Sequence, residues 1–324
     1  MRTIEFSCKN KVYSIPNSWD QITPALYLQL VKDILRMSRG ELSPAMLRVN
    51  FVCNFMGWIP NRIKSEDALA NLAMLSEQVD FILNIAYPDN DAALADLDPN
   101  TRKLFKKKAP EKVLGNIMAQ YLRRLDYRYC IDDCWCVQLI PFAKLGKKKI
   151  LKGYTVTTSF GVLSCSLTAL QYIEARNLLE HTDSLPLMAS ILYSDSDIKY
   201  SSSLAHQRAA EFATLSTELL YGIMLNFRAL NNYLFTRTDF SLLTASRLEE
   251  KKLISTGALE SLYNLSSDGY GSAEEVEQMN IIQYLTILRK KIIESVRSMH
   301  AAEMKITDIE KETGLPIQTI KQII

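Results

Sequence analysis

Cys130, Cys134 and Cys136 are the most closely spaced side chains in this chain with reactive potential, in the run Cys-Ile-Asp-Asp-Cys-Trp-Cys. Thiols so close could begin a metal site. A structural zinc centre, however, draws two ligand pairs from separate parts of a sequence. No second pair follows, and His181, His206 and His300 all lie far away. The run reads instead as a half-buried strand, with Cys134 and Cys136 on one face and Trp135 on the other. The paired acids Asp132–Asp133 and Asp195/Asp197 sit in turn-like polar stretches, where carboxylates cap or face water. The sequence contains no Gly-rich phosphate loop, no His-Glu-x-x-His and no Gly-x-Ser-x-Gly. These patterns predict a protein without an enzyme active site, resident metal or cofactor.

Two basic clusters remain: Arg102-Lys103 with Lys106–Lys108, and Lys147–Lys149 with Lys152. Phosphate contact is one reading. Aromatic interleaving is limited to Phe105, so a solvated helix end and a hairpin tip fit better. The whole chain has 38 Lys and Arg against 36 Asp and Glu over 324 residues. That balance gives no general attraction to nucleic acid or to an acidic membrane. The opening Met-Arg-Thr-Ile-Glu-Phe alternates instead of forming an apolar core, and no apolar run reaches membrane-spanning length. The expected setting is a bacterial cytoplasm, with the cysteines reduced.

The elements that carry these residues are read as mainly α with small antiparallel β-hairpins, an α+β class. Residues 3–15 alternate around Lys9-Asn10-Lys11, which predicts a hairpin with Asn10 at positive φ. Thr23-Pro24 then opens a helix through Ile34, and a second helix runs from Ser43 towards Trp58. Further helices are predicted over 66–87 and 110–127, with 89–109 as a linker. Strands are expected at 133–142 and 151–158, with a short run at 161–165. Thr168 with Gln171 forms a capping box for a helix to Glu180, and another helix runs through Leu187–Tyr193. Ile22-Thr23-x-x-x-Tyr27 matches Leu167-Thr168-x-x-x-Tyr172, so a unit of hairpin, cap, tyrosine helix and second helix is read as used twice. The tyrosine of each copy is expected to turn back towards its sheet.

Beyond Ser201 the pattern is wholly helical: 204–236 as one long helix or a helix with a break, 243–264, and a long helix from 273 to about 302 opened by Ser272 and Glu275. This divides the chain into 1–127, 128–200 and 201–324. The long helix carries a stripe of Met279, Ile282, Leu285, Leu288, Ile292 and Val296, a candidate partner-binding face. At the end, 305–324 resembles the helix-turn-helix of bacterial repressors. Thr307 and Glu310 would cap its first helix, Gly314 would make the turn, and Ile309, Leu315 and Ile320 would join the pair. Ile317, Gln318 and Lys321 would then face a DNA groove. Asp308, Glu310 and Glu312 oppose that use, so nucleic acid is the alternative partner and protein the preferred one.

Trp19-Asp-Gln-Ile-Thr-x-x-x-Tyr27, together with Leu167–Ala175 and Leu187–Tyr193, is similar to segments of uncharacterised tailed-phage and prophage proteins of Bacteroidetes-type bacteria. Segment 259–290 resembles phage tail assembly chaperones, through Leu262-Tyr-Asn-Leu, Gly269-Tyr-Gly, Glu275-Val276, Met279 and Leu285-x-x-Leu288. The double hairpin block departs from such chaperones, which are shorter and more wholly helical. The resemblance implies a non-enzymatic assembly factor that binds tape measure or tail-tube subunits, in the host cytoplasm or on the virion, with self-association left open.

Overall fold

The computed structural model describes residues 3–8, 10–88, 94, 97–113, 126–146, 149–179, 181–194, 199–246 and 259–324. The architecture is mainly helical with small antiparallel sheets. The chain divides into two compact units, Met1–Asp133 and Cys134–Ile324. The sequence reading placed its boundaries at 127/128 and 200/201. The first shifts because Arg128–Ile131 pairs with a strand of the first unit. The second is bridged by packing of Leu185–Leu192 on Ser202–Phe212, where Ser190 Oγ donates to the Ala205 carbonyl at 2.7 Å.

Unit 1 begins with the hairpin β1 (Thr3–Cys8) and β2 (Lys11–Pro16), in the register Ile4↔Ile15 and Cys8↔Lys11. Asn10 takes φ 62° at its turn, as the sequence predicts. Helix α1 (Pro24–Ser38) is capped by Thr23 and α2 (Pro44–Met56) by Ser43, each with proline at its start. Trp19 lies between hairpin and helix, edge-on to Tyr27 and Phe81, and Phe81 meets Phe51. Helix α3 (Glu66–Glu77) is followed by β3 (Leu83–Ala86), which pairs with β4 (Arg128–Ile131). The helix expected over 66–87 therefore stops ten residues early. The cause is Asn17: its side chain bonds the Gln78 carbonyl and the Asp80 backbone N–H and carboxylate, claiming backbone that a helix would have used.

The expected linker 89–109 contains a helix, α4 (Pro99–Lys107), capped by Asp98. Phe105 enters a core with Ile85, Tyr87 and Val113, which anchors the segment. The helix expected over 110–127 starts as a 3-10 turn at Pro110–Lys112, and its 114–125 portion lies outside the described residues.

Unit 2 opens with a stretch outside regular secondary structure in place of the strand expected at 133–142. The ladder forms later, as β5 (Phe142–Leu145), β6 (Lys149–Gly153) and the distant β9 (Tyr193–Ser194). Asn226, buried in a long helix, explains the displacement. Its Oδ1 accepts from the Leu139 N–H at 2.6 Å and its Nδ2 donates to the Val137 carbonyl at 2.8 Å. One side-chain amide thus replaces a neighbouring strand. The predicted 151–158 strand is split, and β7 (Val156–Ser159) forms a separate hairpin with β8 (Val162–Cys165) around Phe160-Gly161.

The capping box at Thr168 forms as expected and opens α5 (Ala169–Asn177), followed by α6 (Leu185–Leu192). The order of hairpin, threonine cap, tyrosine helix and second helix therefore occurs once in each unit. Both tyrosines are fully buried, and Tyr172 is within electrostatic reach of Cys165, the last residue of its hairpin. Tyr27 meets Trp19, while Tyr172 packs on Phe227 and donates to Asn231.

Of the two forms expected over 204–236, one helix or a helix with a break, the second is found: α7 (Ser202–Phe212) and α8 (Thr217–Arg237), the latter capped by Ser216. A 3-10 segment at Asp239–Thr244 follows; of the helix expected over 243–264, residues 247–258 lie outside the described residues, and α9 spans Leu259–Ser267. Ser272 and Glu275 form their capping box, but α10 (Ala273–Glu277) ends after five residues. Asn280 then starts α11 (Ile281–Ala301). The break lets the chain pair with the approach to α5. Ala169 N–H donates to the Met279 carbonyl at 2.8 Å, Ile281 N–H to the Leu167 carbonyl at 3.0 Å, and the Asn280 side chain to the Cys165 carbonyl.

Asn226→Ala leaves a donor and an acceptor beside buried Leu139 without their partner. We expect a loss of about 1–3 kcal/mol, read as a lower urea midpoint for unit 2 with an unchanged m-value.

Candidate functional site

Unit 1 carries an open groove of about 770 Å³ between the end of β1, the turn after α2, and α3. Local sequence chemistry builds each wall. Gly57, at φ 68°, ends α2 in the left-handed conformation, and the Trp58 N–H reaches back to the Cys53 carbonyl at 2.8 Å. Pro60 then sets a 3-10 turn, and Ser65 caps α3. Phe6 stacks on Tyr13 across the hairpin and meets Trp58 edge-on, its centroid 6.2 Å away. Leu72 and Leu75 form a buried floor, while Ile59 and Met74 are 49% and 68% exposed. The single charged liner is Arg62, which makes no ion pair among the described residues. Clustered exposed apolar side chains at a concave surface suit a helical partner.

The spacing of apolar residues in the sequence does not by itself reveal this groove. A signal was available: Leu69, Leu72, Met74 and Leu75 spread apolar character around more than one face of α3. A helix that buries a single stripe would not need this.

The stripe predicted on α11 is partly used within unit 2. Leu285 and Val296 are buried, while Met279, Ile282, Leu288 and Ile292 are half-buried. Val296 packs with Ile309, Leu315 and Ile320, and Ile292 lies against that cluster. Part of the stripe thus packs internally, while four of its six residues remain half-exposed.

The C-terminal hairpin consists of α12 (Ile306–Thr313) and α13 (Ile317–Ile323), with Gly314 at φ 66° in the turn. Helix α11 is the third helix of this cluster. Ser246 Oγ donates to the Thr313 carbonyl, and Arg297 Nε to the Ile323 carbonyl. The predicted cap is corrected: Lys305 occupies the N-cap position and Thr307 lies inside α12. Gln318 and Lys321 are exposed, and Ile317 is half-buried.

Cys134 and Cys136 flank buried Trp135, as the alternation implied, although no ladder forms there. Cys134 Sγ lies 3.3 Å from Thr236 Oγ1. Burial pushes the Cys130 thiol up, away from the reactive thiolate. Among the described residues, no three His, Cys, Asp or Glu side chains are grouped to hold a metal. No described helix is long and apolar enough to cross a membrane. Part of the first basic cluster is used internally: Arg102 binds the Leu94 and Leu97 carbonyls, and Lys107 pairs with Asp132 at 2.6 Å.

An apolar fluorescent dye should bind the groove. The double substitution Ile59→Glu, Met74→Glu should remove most of that fluorescence while leaving the far-ultraviolet circular dichroism unchanged. Comparison with known proteins adds no relative: no family model, curated protein or solved structure matches this chain.

Proposed function

We propose that this is a non-enzymatic bacteriophage tail assembly or virion morphogenesis protein, chaperone-like, that holds a helix of a tape measure or tail-tube subunit in the unit 1 groove. The carrying observation is the groove itself, with its apolar floor, exposed Met74 and Arg62 as its one charged lining residue. Those features favour an amphipathic helix that lays its apolar face on Leu72 and Leu75 and offers a carboxylate to Arg62. Methionine at the rim suits a partner that must be held and later released, because its flexible thioether re-packs at low cost. The resemblance of 259–290 to tail assembly chaperones supports the phage setting. The groove supports the binding mode independently.

Co-expression with phage tape measure and tail-tube proteins, the proposed partners, should yield a complex that Met74→Glu weakens by about tenfold or more, a loss near 1.4 kcal/mol. A wild-type chain that binds neither protein would overturn the reading.

A second reading, DNA binding through Ile317, Gln318 and Lys321, is favoured by one observation. The hairpin has the third helix that such a motif requires. Low-salt binding to duplex DNA, lost in the Gln318→Ala, Lys321→Glu double variant, would support it. No binding at low salt would eliminate it.

A further inference from the structure

Unit 2 contains a separate cavity of about 370 Å³, bounded by α5, the end of α8, the 3-10 segment, α9 and α11. Its size falls within the range of pockets that hold small molecules. The floor is apolar, formed by Ile173, Phe235, Leu285 and Leu288 among others. The rim is polar and carries two cations, Arg176 and Lys291, with no carboxylate among the lining residues. These two cations differ. Lys291 is neutralised by an ion pair with Asp268. Arg176 has no carboxylate partner among the described residues, and its Cζ lies 5.2 Å from the Phe235 ring centroid.

A guanidinium resting on an aromatic ring uses its flat face and keeps its N–H edge for an anion. Its charge also reaches into the cavity. Burial raises the Tyr172 and Tyr284 hydroxyls, and Arg176 partly offsets the rise at both. Ser261 and the Tyr284 hydroxyl are already bonded to each other at the same rim. Among the described residues, the site thus offers one positive charge without a carboxylate partner, above an apolar floor. The matching ligand has one negative charge and an apolar body.

We propose that this cavity binds a small amphiphilic monocarboxylate, with the carboxylate on Arg176 and the alkyl or aryl body against Phe235, Leu285 and Leu288. This goes beyond the groove reading and does not depend on it, since the two sites lie in different units. It also gives a use to part of the predicted α11 stripe: Leu285, Leu288 and Ile292 line the cavity. Water covering those side chains would be released on binding, and a guanidinium–carboxylate pair would fix the orientation.

The test is calorimetric titration of the full chain with octanoate below its micelle concentration, with octanol and octylamine as controls. Saturable one-to-one binding of octanoate, about tenfold or more tighter than either control, is expected. Arg176→Gln should remove that margin, and Leu288→Trp should block binding by filling the cavity. Arg176 is exposed, so its variant remains informative if the tryptophan variant fails to fold. Chemical-shift changes at the Asn264 side-chain amide would place the ligand at the rim. No saturable binding to the wild type, equal binding of octylamine, or undiminished binding to Arg176→Gln would each overturn the proposal.

Discussion

Buried backbone N–H and carbonyl groups must be hydrogen-bonded, and much of this chain runs outside regular ladders. Asparagine amides meet that requirement at three places. Asn17 bonds the backbone at residues 78 and 80, Asn226 at 137 and 139, and Asn280 at 165 and 282. An amide donates and accepts at once, so it can stand in for one rung of a sheet. Each of the three decides where an element stops. Asn17 ends α3 in reach of the hairpin and so helps to set the groove. Asn280 turns the chain between α10 and α11 and ties it to the start of α5, which fixes two walls of the unit 2 cavity.

The main departures from the sequence reading share this origin. A helix expected through residue 87 ends at Glu77, a strand expected from 133 gives way to a stretch outside regular secondary structure, and a helix expected from 273 breaks at Asn280. Hydrophobic periodicity reports which face of a segment is buried. It carries no information about a distant amide that will compete for the backbone. The local signals were legible for the opposite reason. Thr23-Pro24, Ser43-Pro44, the Thr168 and Ser272 capping boxes, Asn10 and Gly314 all act on backbone within a few residues of themselves.

Site prediction divided along the same line. The core of the C-terminal hairpin, Ile309, Leu315 and Ile320, was readable from spacing alone. The use of the stripe on α11 is not readable in that way, because an amphipathic stripe looks the same whether it meets a partner or the chain's own helices. The groove in unit 1 combines residues 6–8, 57–63 and 68–78, and its concavity comes from the tertiary arrangement. Exposed Met74 and Ile59 became informative only once their neighbours Leu72 and Leu75 were seen to form a floor.

The claim that this groove is the working surface is tested most directly by hydrogen exchange. Backbone exchange of the full chain would be compared alone and with a phage tape measure protein, the proposed partner. The account predicts slowed exchange over 57–63 and 68–78, with little change over 305–324. Slowing confined to 305–324, or absent from the groove, would contradict it.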